Sequence, residues 1–153
     1  MRLPSSEVSL SLNIEINAPC ERVFTAATDW NRQGEWIFAT RVSGESPPRV
    51  GSKLQAFSGL GPVGFLDTME VSAWNPPERC DVLHTGRVVR GSGSFRVEAI
   101  DNTRSIFTWE ERVIVPFGAF GRLTWLLIKP LIWIGVSLSL RRFAHWAEKY
   151  HEA

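Results

Sequence analysis

Short runs of alternating apolar and polar residues fill most of the chain between residues 38 and 115. A period of two is typical of half-buried β-strands, and turn-forming stretches such as residues 44–48 and 75–78 separate one run from the next. A stricter alternation occurs earlier, over residues 8–16. Several short strands at this spacing predict an antiparallel sheet of about seven strands.

The bounds of the expected strands follow from the alternation. They are residues 8–16, 40–42, 50–57, 64–74, 79–85, 91–100 and 105–115. Residues 101–104 read Asp-Asn-Thr-Arg and have the length of a hairpin loop, so the last two strands should pair directly.

Helical spacing replaces the alternation after the first strand and again at the C-terminus. Pro19 is suited to the first turn of a helix, and Val23, Phe24 and Ala27 then recur on one helix face. A second short helical segment is predicted around residues 29–36. The long C-terminal helix is expected over about residues 130–150, with Pro130 at its start.

The predicted C-terminal helix has one apolar and one polar face in its second half, as a helix on a core does. The apolar face holds Leu140, Phe143, Ala144, Ala147 and Tyr150, and the polar face holds Arg141, Arg142, His145, Glu148, Lys149 and Glu152. Strand, two short helices, six strands and a long helix together predict an α+β domain spanning residues 1–153.

Charge and cysteine content exclude several classes of protein. Lys+Arg number 17 against 16 Asp+Glu, so nothing indicates a nucleic-acid-binding protein. Cys20 and Cys80 occur without a CxxC spacing, which favours two reduced thiols. The first residues lack the apolar region of a signal peptide, and we expect the protein in the cytoplasm. Three dispersed histidines give no metal-ligand spacing, so neither metal nor cofactor is expected.

The order of elements, with the residues that punctuate it, resembles the START/SRPBCC superfamily. The matching segments are residues 14–19 (IEINAP), 74–79 (WNPPER), 91–95 (GSGSF), 109–111 (WEE) and 116–118 (PFG). The superfamily has a helix-grip fold, shared by polyketide cyclases, lipid-transfer domains and the birch pollen allergen. The resemblance implies a curved sheet wrapped on the last helix around a cavity, and it implies little about chemistry, because carriers, sensors and enzymes share this scaffold.

Two segments resemble a nucleotide-binding motif and a transmembrane helix, and each has a simpler explanation. Residues 59–64 read GLGPVG, a literal GxGxxG, but a strand-like alternation follows where a nucleotide site needs a helix. A turn is therefore expected there. Residues 123–140 are mostly apolar, yet Lys129 lies at their centre, where a charge costs about 3 kcal/mol in a membrane. No transmembrane segment is predicted.

Leu131, Ile134 and Leu138 fall on the side of the last helix that becomes polar further along. Three explanations remain open: Leu126 and Leu127 cover them, a second copy of the chain contacts them, or they touch a membrane surface or a carrier. The protein could accordingly be a monomer or a homodimer, with transient membrane contact.

Strand parity gives the candidate ligand-binding residues. Asp67 and Glu111 are single carboxylates on otherwise apolar strand faces, where an unpaired acid should have a raised pKa. Arg87, Arg90 or Arg96 could pair with either of them, and His84 within reach of Glu111 would make an acid/base candidate. Large aromatic side chains, which could line or fill a cavity, complete the predicted set. That set is Trp36, Phe38, Phe57, Phe65, Asp67, Met69, His84, Phe95, Trp109, Glu111, Trp125 and Trp133.

The leading functional hypothesis is binding or transport of a small hydrophobic molecule, such as a lipid, a polyketide or an aromatic metabolite, in an internal cavity. The seven Trp and nine Phe fit this hypothesis, although they could also fill the space. The alternative is a cyclase or dehydratase that uses a pocket carboxylate or His84 as its acid or base; no catalytic residue is assigned. A third hypothesis is an interaction module that dimerises through the last helix.

Overall fold

A seven-stranded antiparallel sheet forms the framework in the computed structural model, which describes residues 6–87, 89–115 and 118–151. The strands are β1 (Ser6–Ile16), β2 (Thr40–Gly44), β3 (Lys53–Leu60), β4 (Val63–Asn75), β5 (Arg79–His84), β6 (Gly91–Ala99) and β7 (Ser105–Val115). Their order is β1-β7-β6-β5-β4-β3-β2, so β1 crosses over to pair with β7 while the other strands follow one another. The predicted sheet and the α+β helix-grip fold are confirmed.

Three helical elements accompany the sheet. Helix α1 (Cys20–Ala27) and a 3₁₀ helix (Trp30–Glu35) connect β1 to β2, as the sequence predicts. Helix α2 (Gly118–Glu148) is longer than expected, and Pro130 lies inside it. The prediction that the long helix begins at Pro130 was therefore wrong. Inside a helix a proline costs about 3 kcal/mol, because it removes a backbone hydrogen bond and its ring clashes with the preceding turn. The leucines around it are good helix formers, and the helix continues through it.

The second half of α2 packs against the sheet and α1. Its buried side chains are the predicted ones, Leu140, Phe143, Ala144, Ala147 and, just beyond the helix, Tyr150. The ring centroid of Phe143 lies 4.5 Å from Trp36 and 4.6 Å from Phe107, and all three side chains are fully buried. This aromatic cluster joins the helix to β7 and the 3₁₀ segment, and it forms the centre of the core.

The GxGxxG motif is the turn of the β3–β4 hairpin. Gly59 pairs with Gly64, and Leu60 pairs with Val63, which leaves Gly61 and Pro62 as the two-residue loop. Gly61 has a φ of 59°, in the left-handed region that glycine adopts readily. The expectation of a turn is confirmed.

The first half of α2 exposes large apolar side chains. Leu131, Ile134 and Leu138 are 69%, 58% and 38% exposed. Leu126 and Leu127 are themselves 66% and 71% exposed, so the explanation that they cover these residues is wrong. Residues 119–148 are long and apolar enough to cross a membrane by length and composition alone, although the end of this helix belongs to the core.

Candidate ligand-binding site

A cavity of about 320 Å³ lies between the inner face of the sheet and helix α2. Apolar side chains from β2 to β7 form most of its wall, and Ile132, Gly135 and Val136 of α2 close one side. Phe38 lines the cavity and is 47% exposed, which places the mouth of the cavity at this side chain. The aromatic residues therefore do not fill the interior completely.

Seven of the twelve residues predicted to bind a ligand line this cavity. They are Phe38, Asp67, Met69, His84, Phe95, Trp109 and Glu111. Strand parity pointed to Asp67, Met69, Trp109 and Glu111, because residues two apart on a strand share a face. Phe38 and Phe95 were predicted as large aromatic side chains.

The other five predicted residues lie elsewhere. Trp36 is fully buried behind the cavity wall, in the aromatic cluster of the core. Phe57 is half-buried beneath the Arg41 guanidinium, which lies 5.5 Å from its ring centroid. Phe65 on β4 and Trp133 on α2 are 43% and 48% exposed. Trp125 is half-buried in α2 and does not line the cavity either.

Three titratable side chains meet at the cavity wall. His84 Nδ1 lies 2.9 Å from Asp67 Oδ2, and His84 Nε2 lies 2.9 Å from Glu111 Oε2. The second oxygen of Glu111, Oε1, accepts a hydrogen bond of 2.8 Å from Trp109 Nε1. The side chains of His84, Asp67 and Glu111 are only 5%, 12% and 24% exposed. We call these three residues the acid–histidine–acid triad.

The sheet brings the triad together from three strands. Asp67 lies on β4, and His84 is the last residue of β5. Glu111 lies on β7, where it pairs with Gly93 of β6. Arg96 was one of three arginines predicted as possible partners of these acids. That prediction was wrong, because Arg96 pairs with Glu110 on the other face of the sheet. Histidine takes the place of arginine as the partner of both cavity carboxylates.

Gly93 makes room for this arrangement, and sequence reasoning did not single it out. It pairs with Glu111 across β6 and β7, and a Cβ at residue 93 would lie 2.8 Å from Glu111 Oε1. A glycine inside a strand often marks such a close approach. That signal was available in the sequence. The cavity-lining residues Ile132, Gly135 and Val136 lie within the predicted helix but were not singled out, because the sequence does not show which side of this helix faces the sheet.

The two carboxylates hold His84 in its charged form. Burial alone would lower the pKa of His84, but hydrogen bonds from the ring to Asp67 and Glu111 and the negative charge of both acids outweigh burial and raise the pKa to about 10. At neutral pH the ring is thus an imidazolium that donates from both nitrogens. Counting each carboxyl group at its formal charge, the triad has a formal net charge of −1.

The remaining hydrogen-bonding capacity of the triad lies on the carboxylate oxygens. Each oxygen has two acceptor positions, and His84 and Trp109 do not occupy all of them. The triad can therefore accept hydrogen bonds from a ligand or take up a proton. His84 itself is a weak proton donor at neutral pH, since a general acid works best with a pKa near the working pH.

We expect the substitution Gly93→Ala to lower the pKa of His84, because the new methyl group displaces the Glu111 carboxylate from the ring. Titration of the His84 ring protons by NMR measures this shift. Gly135→Ala also adds a methyl group to the cavity wall but has no atom within 4 Å, and it should leave the pKa unchanged. An unchanged His84 pKa in Gly93→Ala would contradict the close approach of Gly93 to Glu111.

Comparison with known proteins supports the fold. A family profile described as polyketide cyclase / dehydrase and lipid transport matches residues 7–150. A search of curated proteins by sequence gives no significant match.

Solved structures share the fold at low sequence identity. The Zhui aromatase/cyclase from Streptomyces sp. R1128 is 12% identical with a TM-score of 0.78, over 94% of this chain and 95% of that one. Norcoclaurine synthase from Thalictrum flavum, in complex with dopamine and hydroxybenzaldehyde, is 9% identical with a TM-score of 0.71, over 97% and 91% of the two chains. A conserved protein from Geobacillus kaustophilus is 16% identical with a TM-score of 0.71, over 95% and 98%.

Proposed function

Because the chain belongs to the polyketide cyclase/dehydrase and lipid transport family, we propose that it binds and carries a small hydrophobic molecule whose polar end donates a hydrogen bond to the triad. The observation that carries the proposal is an apolar cavity with an anionic acceptor group in its wall. We place this activity in the cytoplasm, in keeping with two cysteines that form no disulfide.

Cavity size supports a small ligand. Small-molecule sites usually measure about 300–1,000 Å³ and are mostly apolar with a few placed polar groups. At about 320 Å³ this cavity is at the lower end of the range. A molecule of one or two rings matches it better than an extended lipid chain.

Charge supports a ligand that donates hydrogen bonds. Among the lining residues that the structure describes, the charged ones are Asp67, His84 and Glu111, with net charge −1. A ligand carboxylate would meet this negative charge in a poorly solvated site, where repulsion is strong. A phenol, alcohol or amine would instead form a charge-assisted hydrogen bond with Asp67 or Glu111.

Isothermal titration calorimetry with three matched probes tests the proposal: naphthalene, 2-naphthol and 2-naphthoate. A hydrogen bond to a charged group contributes about 1.5–3 kcal/mol, so 2-naphthol should bind at least about tenfold more tightly than naphthalene. Naphthoate should bind most weakly, and Glu111→Gln should reduce the preference for naphthol. Naphthoate binding as tightly as naphthol would contradict the proposed ligand chemistry.

The alternative function is proton abstraction from a bound carbon acid, as a cyclase or dehydratase needs. Carboxylates in the wall of an apolar cavity favour it, because they can accept the proton close to the substrate. Deuterium exchange at the methyl group of 4-hydroxyacetophenone, followed by NMR, is the test. Exchange faster than in buffer and lost in Asp67→Asn and Glu111→Gln supports an enzyme. Tight binding without accelerated exchange supports a carrier.

A further inference from the structure

We propose that residues 119–138 of helix α2, here called the apolar segment, dock the protein onto the surface of an anionic lipid bilayer. The most exposed large apolar side chains of the segment are Phe120, Leu123, Leu126, Leu127, Leu131 and Ile134, each between 57% and 72% exposed. Soluble proteins rarely leave so continuous an apolar surface without a partner. The inference does not depend on which ligand the cavity binds.

The distribution of these side chains around the helix identifies the partner. Seen down the helix axis, at 100° per residue, the exposed apolar side chains of the segment lie within one arc of roughly 220°. Ile128 lies at one edge of this arc and Trp133 at the other. A second protein chain packs against one side of a helix, whereas lipid can surround most of it. A helix laid on a protein core usually has polar residues on its solvent side, whereas the solvent side of this segment is mostly apolar.

The charge of the same region matches an anionic surface. The sequence contains no acidic residue between Glu111 and Glu148. Over that interval Lys129, Arg141 and Arg142 are exposed cations of α2. Each Lys or Arg near an anionic membrane contributes about a fivefold gain in binding. Apolar insertion and positive flanking charge are the two terms that bind a protein to such a surface.

The cavity opens beside the apolar segment. Ile132 and Val136 line the cavity, while their neighbours Leu131 and Ile134 face solvent. Phe38 at the cavity mouth lies beneath the Arg142 guanidinium, 5.5 Å from its ring centroid. Docking through this helix would therefore bring the mouth next to the bilayer, and an apolar ligand could pass between them with little exposure to water.

The helix is suited to lie on the membrane rather than to cross it. Its last turns, with Leu140, Phe143 and Ala147 buried, are part of the core and cannot leave it without unfolding the domain. Lys129 also falls within the apolar segment, where a spanning helix would have to carry its charge through the hydrocarbon.

Flotation of the purified protein, residues 1–153, in sucrose gradients tests the proposal. The probes are phosphatidylcholine vesicles with and without phosphatidylglycerol. Binding should be at least tenfold stronger when phosphatidylglycerol is present. The double variant Leu127→Ser/Leu131→Ser should weaken flotation at least tenfold, and Lys129→Gln should weaken it about fivefold. The matched control Val50→Ser/Leu83→Ser changes two other exposed apolar residues, 60% and 49% exposed, and should float like the wild type.

The outcomes separate the possible occupants of the apolar segment. Unaltered melting temperatures in the serine variants would show that the fold is intact, so their loss of flotation would support docking. No flotation by the wild type would overturn the proposal. A dimer would overturn it as well, if sedimentation shows that the wild type is a dimer, that Leu127→Ser/Leu131→Ser is a monomer, and that the wild type does not bind vesicles. If alkaline carbonate fails to release the bound protein from the vesicles, surface docking is overturned and a spanning helix is supported.

Discussion

Replacement of His84 by leucine is expected to lower the free energy of unfolding by about 3–5 kcal/mol at mildly alkaline pH. The imidazolium separates Asp67 from Glu111 and donates a hydrogen bond to each. Without it, two poorly solvated carboxylates of like charge face one another and keep no compensating cation. Urea unfolding followed by tryptophan fluorescence measures the loss.

A charge-free variant is the matched control. Asp67→Asn/His84→Leu/Glu111→Gln removes all three charges, and the amide oxygen at residue 111 can still accept the hydrogen bond from Trp109. Replacing a whole buried ionic group is far less costly than removing one member of it. The triple variant should therefore regain at least half of the lost stability. A triple variant less stable than His84→Leu would contradict the charge-based explanation.

The wild type should show the complementary pH dependence. The pKa of His84 is raised from 6.5 to about 10 in the folded protein. A raised pKa means that the folded state binds the proton more tightly, so this stabilisation is complete below pH 6.5 and disappears as the pH rises through about 10. His84→Leu lacks this decline. It should instead gain stability toward acidic pH, because protonation of one carboxyl group relieves the repulsion.

The sheet could be predicted from the sequence because its information is local. Alternation on β6 and β7 and the loop at residues 101–104 specify pairing between these two neighbours without reference to distant residues. The start of α2 could not be found in the same way. Pro130 is a strong local signal for a helix start, and the helix continues through it at a cost of about 3 kcal/mol from the lost hydrogen bond and the clash with the preceding turn.

The members of the triad could be predicted singly, but their contact could not. Asp67 and Glu111 stand out as acids on apolar strand faces, and His84 as a lone histidine on a neighbouring strand. Their meeting depends on sheet curvature and on the register of β4 with β5, which shifts at a bulge between Val71 and Ala73. Neither property can be derived from alternation alone, and arginine partners were equally consistent with the sequence.

The triad need not make the fold more stable than an apolar wall would. Buried ionic groups are often replaceable by neutral residues without loss of stability. This supports the proposal that the three titratable groups in the apolar cavity wall contact a ligand. The same reasoning applies to the apolar segment of α2, which contributes few side chains to the core and exposes many.

Trp36→Ala and Phe38→Ala should separate the core from the binding site, although the residues are only two positions apart. Trp36 is fully buried against Phe95, Trp109 and Phe143, and its loss should lower the free energy of unfolding by about 3–5 kcal/mol. Phe38 is 47% exposed at the cavity mouth, so its loss should cost much less stability.

Ligand affinity should respond in the opposite order. Phe38→Ala removes apolar surface from the cavity mouth and should weaken 2-naphthol binding about tenfold, since about 1.5 kcal/mol is typical for a buried apolar side chain. Trp36→Ala should retain binding wherever it remains folded, because no atom of Trp36 belongs to the cavity wall. Calorimetry at a temperature where both variants are folded makes the comparison. Equal losses of affinity in the two variants would mean that the cavity extends to Trp36 when a ligand is bound.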